Sequence, residues 1–205
     1  MRSRIKSIIT RIPPFSWAYR LRIRILQWNR RYITVRDLGR ENRIIIPRST
    51  YADDLLITFR GSHNTVTLGE QCIFKGSNAI FVDGDGNSVS IGANTTMDQD
   101  VELVVAEGTR LSVGKGCFIA RGVTIRTSDQ HPIVDGGGNR INPPRDVAVG
   151  NHVWLGTRVV VMKGVTIGSG SIVGLGSMVT HNIPAGVIAA GCPAKVMKTD
   201  ISWHE

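Results

Sequence analysis

The sequence predicts an all-β solenoid, a parallel β-helix of hexapeptide repeats, with a basic helical arm at its N-terminal end. Three observations predict it. Aliphatic residues recur at every sixth position over much of the chain. A short pattern occurs twice, as GSHNTVTLG at 61–69 and GDGNSVSIG at 84–92. The charge is segregated: residues 1–43 hold 12 Lys or Arg and two acids, Asp37 and Glu41, whereas the remainder holds 13 basic and 14 acidic residues.

With 205 residues, 41% of them hydrophobic, the chain is long enough for one domain with a substantial core. Collagen, intrinsic disorder and a disulfide miniprotein are excluded. Cys72, Cys117 and Cys192 are odd in number and lack CxxC or Cys/His spacing, so neither a disulfide framework nor a zinc site is suggested. No apolar run is long enough to span a bilayer, and Arg and Lys interrupt the N-terminus where a secretory signal needs an apolar stretch. A cytoplasmic location is expected.

The arm comes first, as residues 1–45. Ile5, Ile8, Ile9 and Ile12 are three or four apart. After Pro13 and Pro14 a second stripe runs through Trp17, Leu21, Ile25, Trp28 and Tyr32. Both spacings fit one face of a helix, so two short amphipathic helices broken at the prolines are expected. They can pack on the main domain or a neighbouring subunit, or lie on an anionic membrane, where each Lys or Arg contributes about 1 kcal/mol. Nucleic acid ranks lowest as a partner because no recognition motif accompanies the charge.

The body follows, at residues 46–198, with a short C-terminal tail at 199–205. From Val149 the sixfold series is Val149, Leu155, Val161, Ile167, Val173 and Val179, and Gly150, Gly156, Gly168 and Gly174 follow four of them. Earlier stretches are Leu68, Phe74, Ile80; Ile91, Met97, Leu103; and Val113, Ile119, Ile125. Small residues such as Val153, Val159 and Ser171 stand four places after each aliphatic. In a parallel β-helix each flat face takes one hexapeptide, and each aliphatic stacks on its equivalent about 4.8 Å away in the next coil. Glycine or Asn at the corners accepts backbone angles that a Cβ opposes. Roughly six coils fit the length. A β-sandwich would need period-two strands and hairpin turns, which do not explain a period of six.

The rhythm fails between Ile125 and Val149, where RTSDQHPIVDGGGNRINPPRD reads as a loop thrown out at about 129–146. Loops on a rigid scaffold commonly carry function. His131 stands near its start; an imidazole can take a proton from a hydroxyl at neutral pH and return it to a leaving group. Asp129, two residues earlier, shares a side with His131 if the segment is extended, and could fix its tautomer. The remaining histidines, His63, His152, His181 and His204, have no metal-ligand spacing, which argues against a zinc carbonic anhydrase on the same scaffold.

The hexads of VGNHVWLGTRVVVMKGVTIGSGSIVGLGSMVTHNIPAGVIAAGCPAKVMK, together with TSDQHPI, resemble the hexapeptide-repeat acyltransferases. Within them the chain is most similar to enzymes acetylating sugars and bacterial surface polysaccharides. The resemblance covers about residues 56–198 and leaves out the arm. It implies a left-handed β-helix and a homotrimer, with acetyl-CoA bound between subunits and no metal. It implies His131 as general base and the Thr157 amide as oxyanion donor. Trp154 would form a wall of the acetyl-CoA or acceptor site near a subunit boundary, with Gly156 beside it in the acetyl-CoA site. Gly174 and Leu175 would line the pantetheine, Thr180 and His181 would add contacts, and Lys195 and Lys198 would lie near the nucleotide phosphates. Where such enzymes usually carry an acceptor-binding Asn, this chain has Glu102, with Asp98 and Asp100 nearby.

The expected activity is therefore acetyl-CoA-dependent O-acetylation of a sugar hydroxyl on a bacterial surface polysaccharide or its lipid-linked precursor, at the inner face of the cytoplasmic membrane. A free sugar, antibiotic or amine acceptor would need His131 and Trp154 but not the arm. A non-catalytic assembly module would need neither the His-Pro loop nor the Lys195 segment.

Overall fold

A computed structural model describes residues 22–27, by backbone only, and 32–204. These residues form a parallel β-helix of three flat faces, without a helix long and apolar enough to cross a membrane. The aliphatic of every hexad points inward and is buried, from Leu68, Phe74 and Ile80 up to Val173 and Val179. Short strands suffice because each needs only one inward side chain. Trp154–Leu155, Thr166–Ile167 and Ile172–Val173 are two residues long, and backbone bonds to the coils above and below hold them in the stack.

The coils come in two lengths. On the first face Arg43 pairs with Thr65, Thr65 with Ser88 and Ser88 with Arg110, so a coil there takes 22 or 23 residues. Beyond the loop, Ala148 pairs with Thr166 and Trp154 with Ile172, and a coil takes 18. The spare residues lengthen the third face, whose strands reach Arg60 and Asp83 at the ends of Tyr51–Arg60 and Ile73–Asp83. The repeated GxxNxVx motif therefore marks a period of 23, one long coil, laid over the period of six.

Two internal ladders accompany the aliphatic stack. At the corner between the third and first faces, Asn42, Asn64 and Asn87 are buried one above another. Asn64 Nδ2 donates to Asn42 Oδ1 at 3.1 Å, and Asn87 Nδ2 to Asn64 Oδ1 at 3.0 Å. Thr109 closes the series, its N–H donating to Asn87 Oδ1 and its hydroxyl meeting that of Thr127 at 2.6 Å. At the corner before the second face, Thr50, Cys72, Thr95 and Cys117 each donate to a glycine carbonyl of the next coil: those of Gly69, Gly92, Gly114 and Gly150. Cys72 and Cys117 thus serve as small corner residues, and burial pushes both thiols up.

The glycines that follow the aliphatics have a different role from the one expected. A Cβ on Gly150 would lie 2.6 Å from Ser169 N, and one on Gly168 would lie 2.3 Å from Ala185 N. Close approach of coils excludes a side chain there. The left-handed backbone conformation expected of Gly or Asn is taken at other corner positions, by Gly116, Gly122, Gly170 and Asn94 among others, and also by His152 and Arg158.

The helical arm needs correction where it is described. Arg22–Gln27 and Tyr32–Asp37 are antiparallel strands, Arg22 opposite Asp37 and Gln27 opposite Tyr32. Tyr32–Asp37 then pairs in parallel with Tyr51–Arg60, setting Ile33 beside Leu55 and Val35 beside Ile57. Ile33 and Val35 alternate with Thr34 and Arg36, and only the first two are buried: a period-two pattern on a sheet edge overrides the helical stripe. The solenoid accordingly begins at Tyr32, ahead of the expected boundary at 46, and has about seven turns against the six expected. The first expected helix, and the second outside residues 22–27 and Tyr32, lie outside the described residues.

Candidate functional site

The loop leaves the solenoid after Thr124–Arg126 on the third face and rejoins it at Val147–Val149 on the first. Its core is a small hairpin. Ile141 N donates to Ile133 O at 2.8 Å, Val134 bridges to Arg140, and the Asp135 carboxylate caps the tip by accepting from Gly137 N and Asn139 N. Those donors hold the Asp135 carboxyl below its ordinary value. His131 sits just before this hairpin with its imidazole exposed.

Buried Asn142 ties the loop's two ends together. Its Nδ2 donates to the His131 carbonyl at 2.9 Å and to Asp129 Oδ2 at 2.8 Å, and its Oδ1 accepts from Ile133 N at 2.6 Å. From the next coil, Lys163 Nζ reaches Asp129 Oδ2 at 2.5 Å and the Asn142 carbonyl at 3.0 Å. A second clamp joins the hairpin to the coil below: Arg140 Nη1 and Nη2 engage the Glu107 carboxylate, which also accepts from the Ser128 hydroxyl. The Lys163 ammonium holds the Asp129 carboxyl below the usual carboxylate range, and Arg140 then Ser128 do the same for Glu107.

The structure alters the expectation for Asp129. Its carboxylate is occupied by Lys163 and Asn142, and Asn142 in turn donates to the His131 carbonyl, so the connection to His131 runs through the backbone. Lys163, Asn142, Arg140 and Glu107 were missed by sequence reasoning. The signal for Lys163 is faint: a cation in MKG, at a corner of a solenoid whose other hexad corners there are small or polar.

The other expected residues divide between two edges of the prism. In the register that sets Val161 beside Val179, His181 falls one coil above Lys163, on the same edge as the loop. Its Nδ1 lies 2.9 Å from the Thr180 hydroxyl. Trp154, Gly156, Thr157, Gly174 and Leu175 lie on the second face and the corner leading out of it. Trp154 projects outward between Phe118 and Ile172 of adjacent coils. Gly156 is required there, since a Cβ would meet Leu175 N at 2.7 Å. Thr157 is half-buried, its carbonyl accepting from Gly176 N, and Leu175 is 80% exposed. Lys195 and Lys198 are exposed on Ala194–Lys198, an antiparallel strand paired with Ile188–Gly191 at the top of the same face. Within one chain, His131 and Thr157 are thus on different edges.

Glu102 projects from the third face, 3.9 Å from Arg126, and Asp100 pairs with Arg121 at 3.2 Å. Among the described residues no group of three His, Cys, Asp or Glu side chains is placed to hold a metal ion.

On the second-face edge Trp154 and Leu175 are exposed apolar side chains, and Lys195 and Lys198 are exposed on the strand at the top of that face. The loop edge supplies a histidine on a firmly held backbone.

No family model matches the chain. A polysialic acid O-acetyltransferase of Neisseria meningitidis is 35% identical over 147 residues, covering 62% of this chain and 68% of that protein. A second polysialic acid O-acetyltransferase, from Escherichia coli O1:K1, is 40% identical over 119 residues, 58% of this chain but 38% of that one. The crystal structure of the polySia-specific acetyltransferase NeuO superposes with a TM-score of 0.80 at 38% identity, covering 84% of this chain and 73% of that one.

Proposed function

The chain belongs to the hexapeptide-repeat acyltransferases of left-handed β-helix fold, and we propose that it transfers an acetyl group from acetyl-CoA to a sugar hydroxyl of a bacterial surface polysaccharide or its lipid-linked precursor. The observation that carries this reading is the exposed His131 on a loop clamped to the solenoid by Lys163 and Asn142. The relatives' acceptor makes polysialic acid the first polymer to test.

In the proposed reaction the acceptor hydroxyl gives its proton to the His131 imidazole as its oxygen attacks the thioester carbonyl carbon. The Thr157 amide donates to the resulting oxyanion, a contact of the kind whose loss costs about 3 kcal/mol. Collapse breaks the carbon–sulfur bond, and the His131 imidazolium returns its proton to the departing thiolate. Asp129 and Asn142 keep the His131 backbone in place throughout.

Because His131 and Thr157 occupy different edges, one chain does not complete this site. Assembly as a homotrimer would bring the loop edge of one subunit to the second face of its neighbour, making three composite sites. Ile133, Val134 and Ile141 on the loop, and Tyr51, Ile73 and Trp154 on the second face, are exposed apolar residues that such contacts would cover.

The basic segment ahead of the solenoid belongs to the same proposal. Residues 1–31 contain nine Lys or Arg and no acid. That charge would hold the enzyme at an anionic membrane surface, where lipid-linked glycans are assembled, at the inner face of the cytoplasmic membrane. Co-sedimentation with anionic vesicles should fall sharply when these residues are removed; equal binding would refute the anchor.

The activity is tested by following CoA release with polysialic acid, other surface polysaccharides and free sugars as acceptors. His131→Ala should lose about a thousandfold in kcat with a polymer acceptor. Undiminished turnover in that variant would remove the mechanism.

A further inference from the structure

The C-terminal tail does not trail away from the solenoid. After Ala194–Lys198, Ile201 N donates to Gly186 O at 3.1 Å, and the Trp203 side chain is buried two coils lower, at the corner that carries His152. The two rings are parallel, with centroids 4.0 Å apart and planes 2° from each other. Two further contacts close the pair. Trp203 Nε1 donates to the His152 carbonyl at 2.9 Å, and His152 Nε2 donates to the Trp203 carbonyl at 2.9 Å. A carbonyl only accepts, so His152 carries a proton on Nε2.

Trp203 also meets Trp154. Their centroids are 5.9 Å apart at 47°, while Phe118 of the coil below touches Trp154 edge-on at 6.4 Å and 69°. Trp154 is thus bounded below by Phe118 and beside by Trp203, leaving 38% of it exposed. An indole projecting from a two-residue strand, without a neighbour at its side, would have several rotamers open to it. Aromatic contacts on two sides restrict that freedom before any ligand arrives, and ordering already made in the free protein is not charged against binding. The strap that carries Trp203 starts from the strand bearing Lys195 and Lys198, so one short segment ties those two ammonium groups to Trp154.

We infer that Trp203 is a positioning residue for acetyl-CoA: the C-terminal tail is a strap, locked onto His152, that fixes the Trp154 indole as a wall of the acetyl-CoA site on the second-face edge. The inference rests on the reading of the second-face edge as the acetyl-CoA site. It assigns the tail no contact with the acceptor.

The test is steady-state kinetics on the full chain. Trp203→Ala should raise the acetyl-CoA KM about tenfold, with kcat and the acceptor KM changed by less than about twofold. Trp203→Phe, which keeps a ring on His152 and Trp154 while losing the Nε1 bond, should recover most of the loss. An unchanged acetyl-CoA KM in Trp203→Ala overturns the inference, as does a proportionate fall in kcat with both KM values unmoved, the signature of general loosening. Trp154→Ala separates the two ideas: if it leaves the acetyl-CoA KM unchanged, the site reading itself fails, whereas a raised KM in Trp154→Ala beside an unchanged one in Trp203→Ala sinks the strap alone. If Trp203→Ala does not fold, His152→Ala, which removes the stack and keeps the indole, is read by the same criteria.

Discussion

Lys163 Nζ lies 2.5 Å from Asp129 Oδ2, across one coil of the solenoid, and the same ammonium reaches the Asn142 carbonyl at 3.0 Å. One side chain from the rigid prism therefore holds both ends of the His131 loop. Replacing it with a neutral isostere, Lys163→Met, should lower kcat about tenfold while leaving the acetyl-CoA KM within about twofold, since misplacing a general base by a fraction of an ångström affects chemistry more than binding. Asn142→Ala should cost more, because Asn142 also holds the His131 carbonyl and Ile133 N. Initial rates at saturating acetyl-CoA decide it; an unchanged kcat in Lys163→Met means the loop does not need its anchor.

The same pair fixes how the loop responds to acid. Lys163 first, and the Asn142 amide with it, holds the Asp129 carboxyl below its ordinary value against the opposing effect of burial; Arg140 and Ser128 act likewise on Glu107. Both groups are depressed in the folded chain. Their stabilisation is therefore complete above the unfolded carboxylate range and is lost as pH falls through the depressed values. Hydrogen exchange in residues 129–142 should be protected to the same degree from about pH 8 down to about pH 5, once corrected for intrinsic rates, and should lose protection only below about pH 4. In Lys163→Met the loss should begin at higher pH. Protection falling already between pH 7 and 6 would contradict this assignment of charge.

What was legible in the sequence follows from how few constraints each feature imposes. Every inward position of a flat face must be apolar, so Leu155, Val161 and Ile167 announce the solenoid unaided. The loop was legible as a break in that rhythm. Coil length was half-legible: the GxxNxVx repeat holds the period of 23, but the hexads on either side of each long corner keep their own spacing and hide it. Residues 22–37 misled because Leu21, Ile25, Trp28 and Tyr32 satisfy helical spacing, while Ile33 and Val35 satisfy the period of two that sheet pairing selected. Lys163 was out of reach, since it meets Asp129 from 34 residues away through a coil whose length includes the loop. Trp203 lies in a tail with no period at all, and only the stack on His152 reveals its use.

The asparagine ladder should be sensitive at its middle. Asn64 Oδ1 accepts from Asn87 N and Nδ2, and Asn64 Nδ2 donates to Asn42 Oδ1 and to Gly84 O, all in a buried corner. Asn64→Ala strands donors and acceptors on both neighbouring coils and should destabilise the chain by about 3 kcal/mol. Asn64→Asp should be as damaging, because an oxygen would replace the amide that faces Asn42 Oδ1 and the Gly84 carbonyl. Denaturant midpoints of the two variants against the parent measure this. A loss under about 0.5 kcal/mol would show that the ladder merely fills space.

Two glycines two residues apart separate close approach from backbone conformation. Gly170 has φ of +71° and open space where a Cβ would project, so Gly170→Ala meets only the left-handed penalty, about 1 kcal/mol. Gly168 has no such φ, but its Cβ would fall 2.3 Å from Ala185 N and 2.6 Å from Ala185 Cα and Pro184 C. These are backbone atoms of the next coil, which cannot swing aside as a side chain can. Gly168→Ala must therefore pry the last coil from the one beneath it, breaking the bond from Gly168 N to Ile183 O and tilting the segment that leads to Lys195 and Lys198. It should cost about 3 kcal/mol or more, and the acetyl-CoA KM should rise with it. Paired melting curves and acetyl-CoA titrations of the two variants would expose an error plainly: if Gly170→Ala were the more damaging, conformation and not contact between coils would be what these corners select.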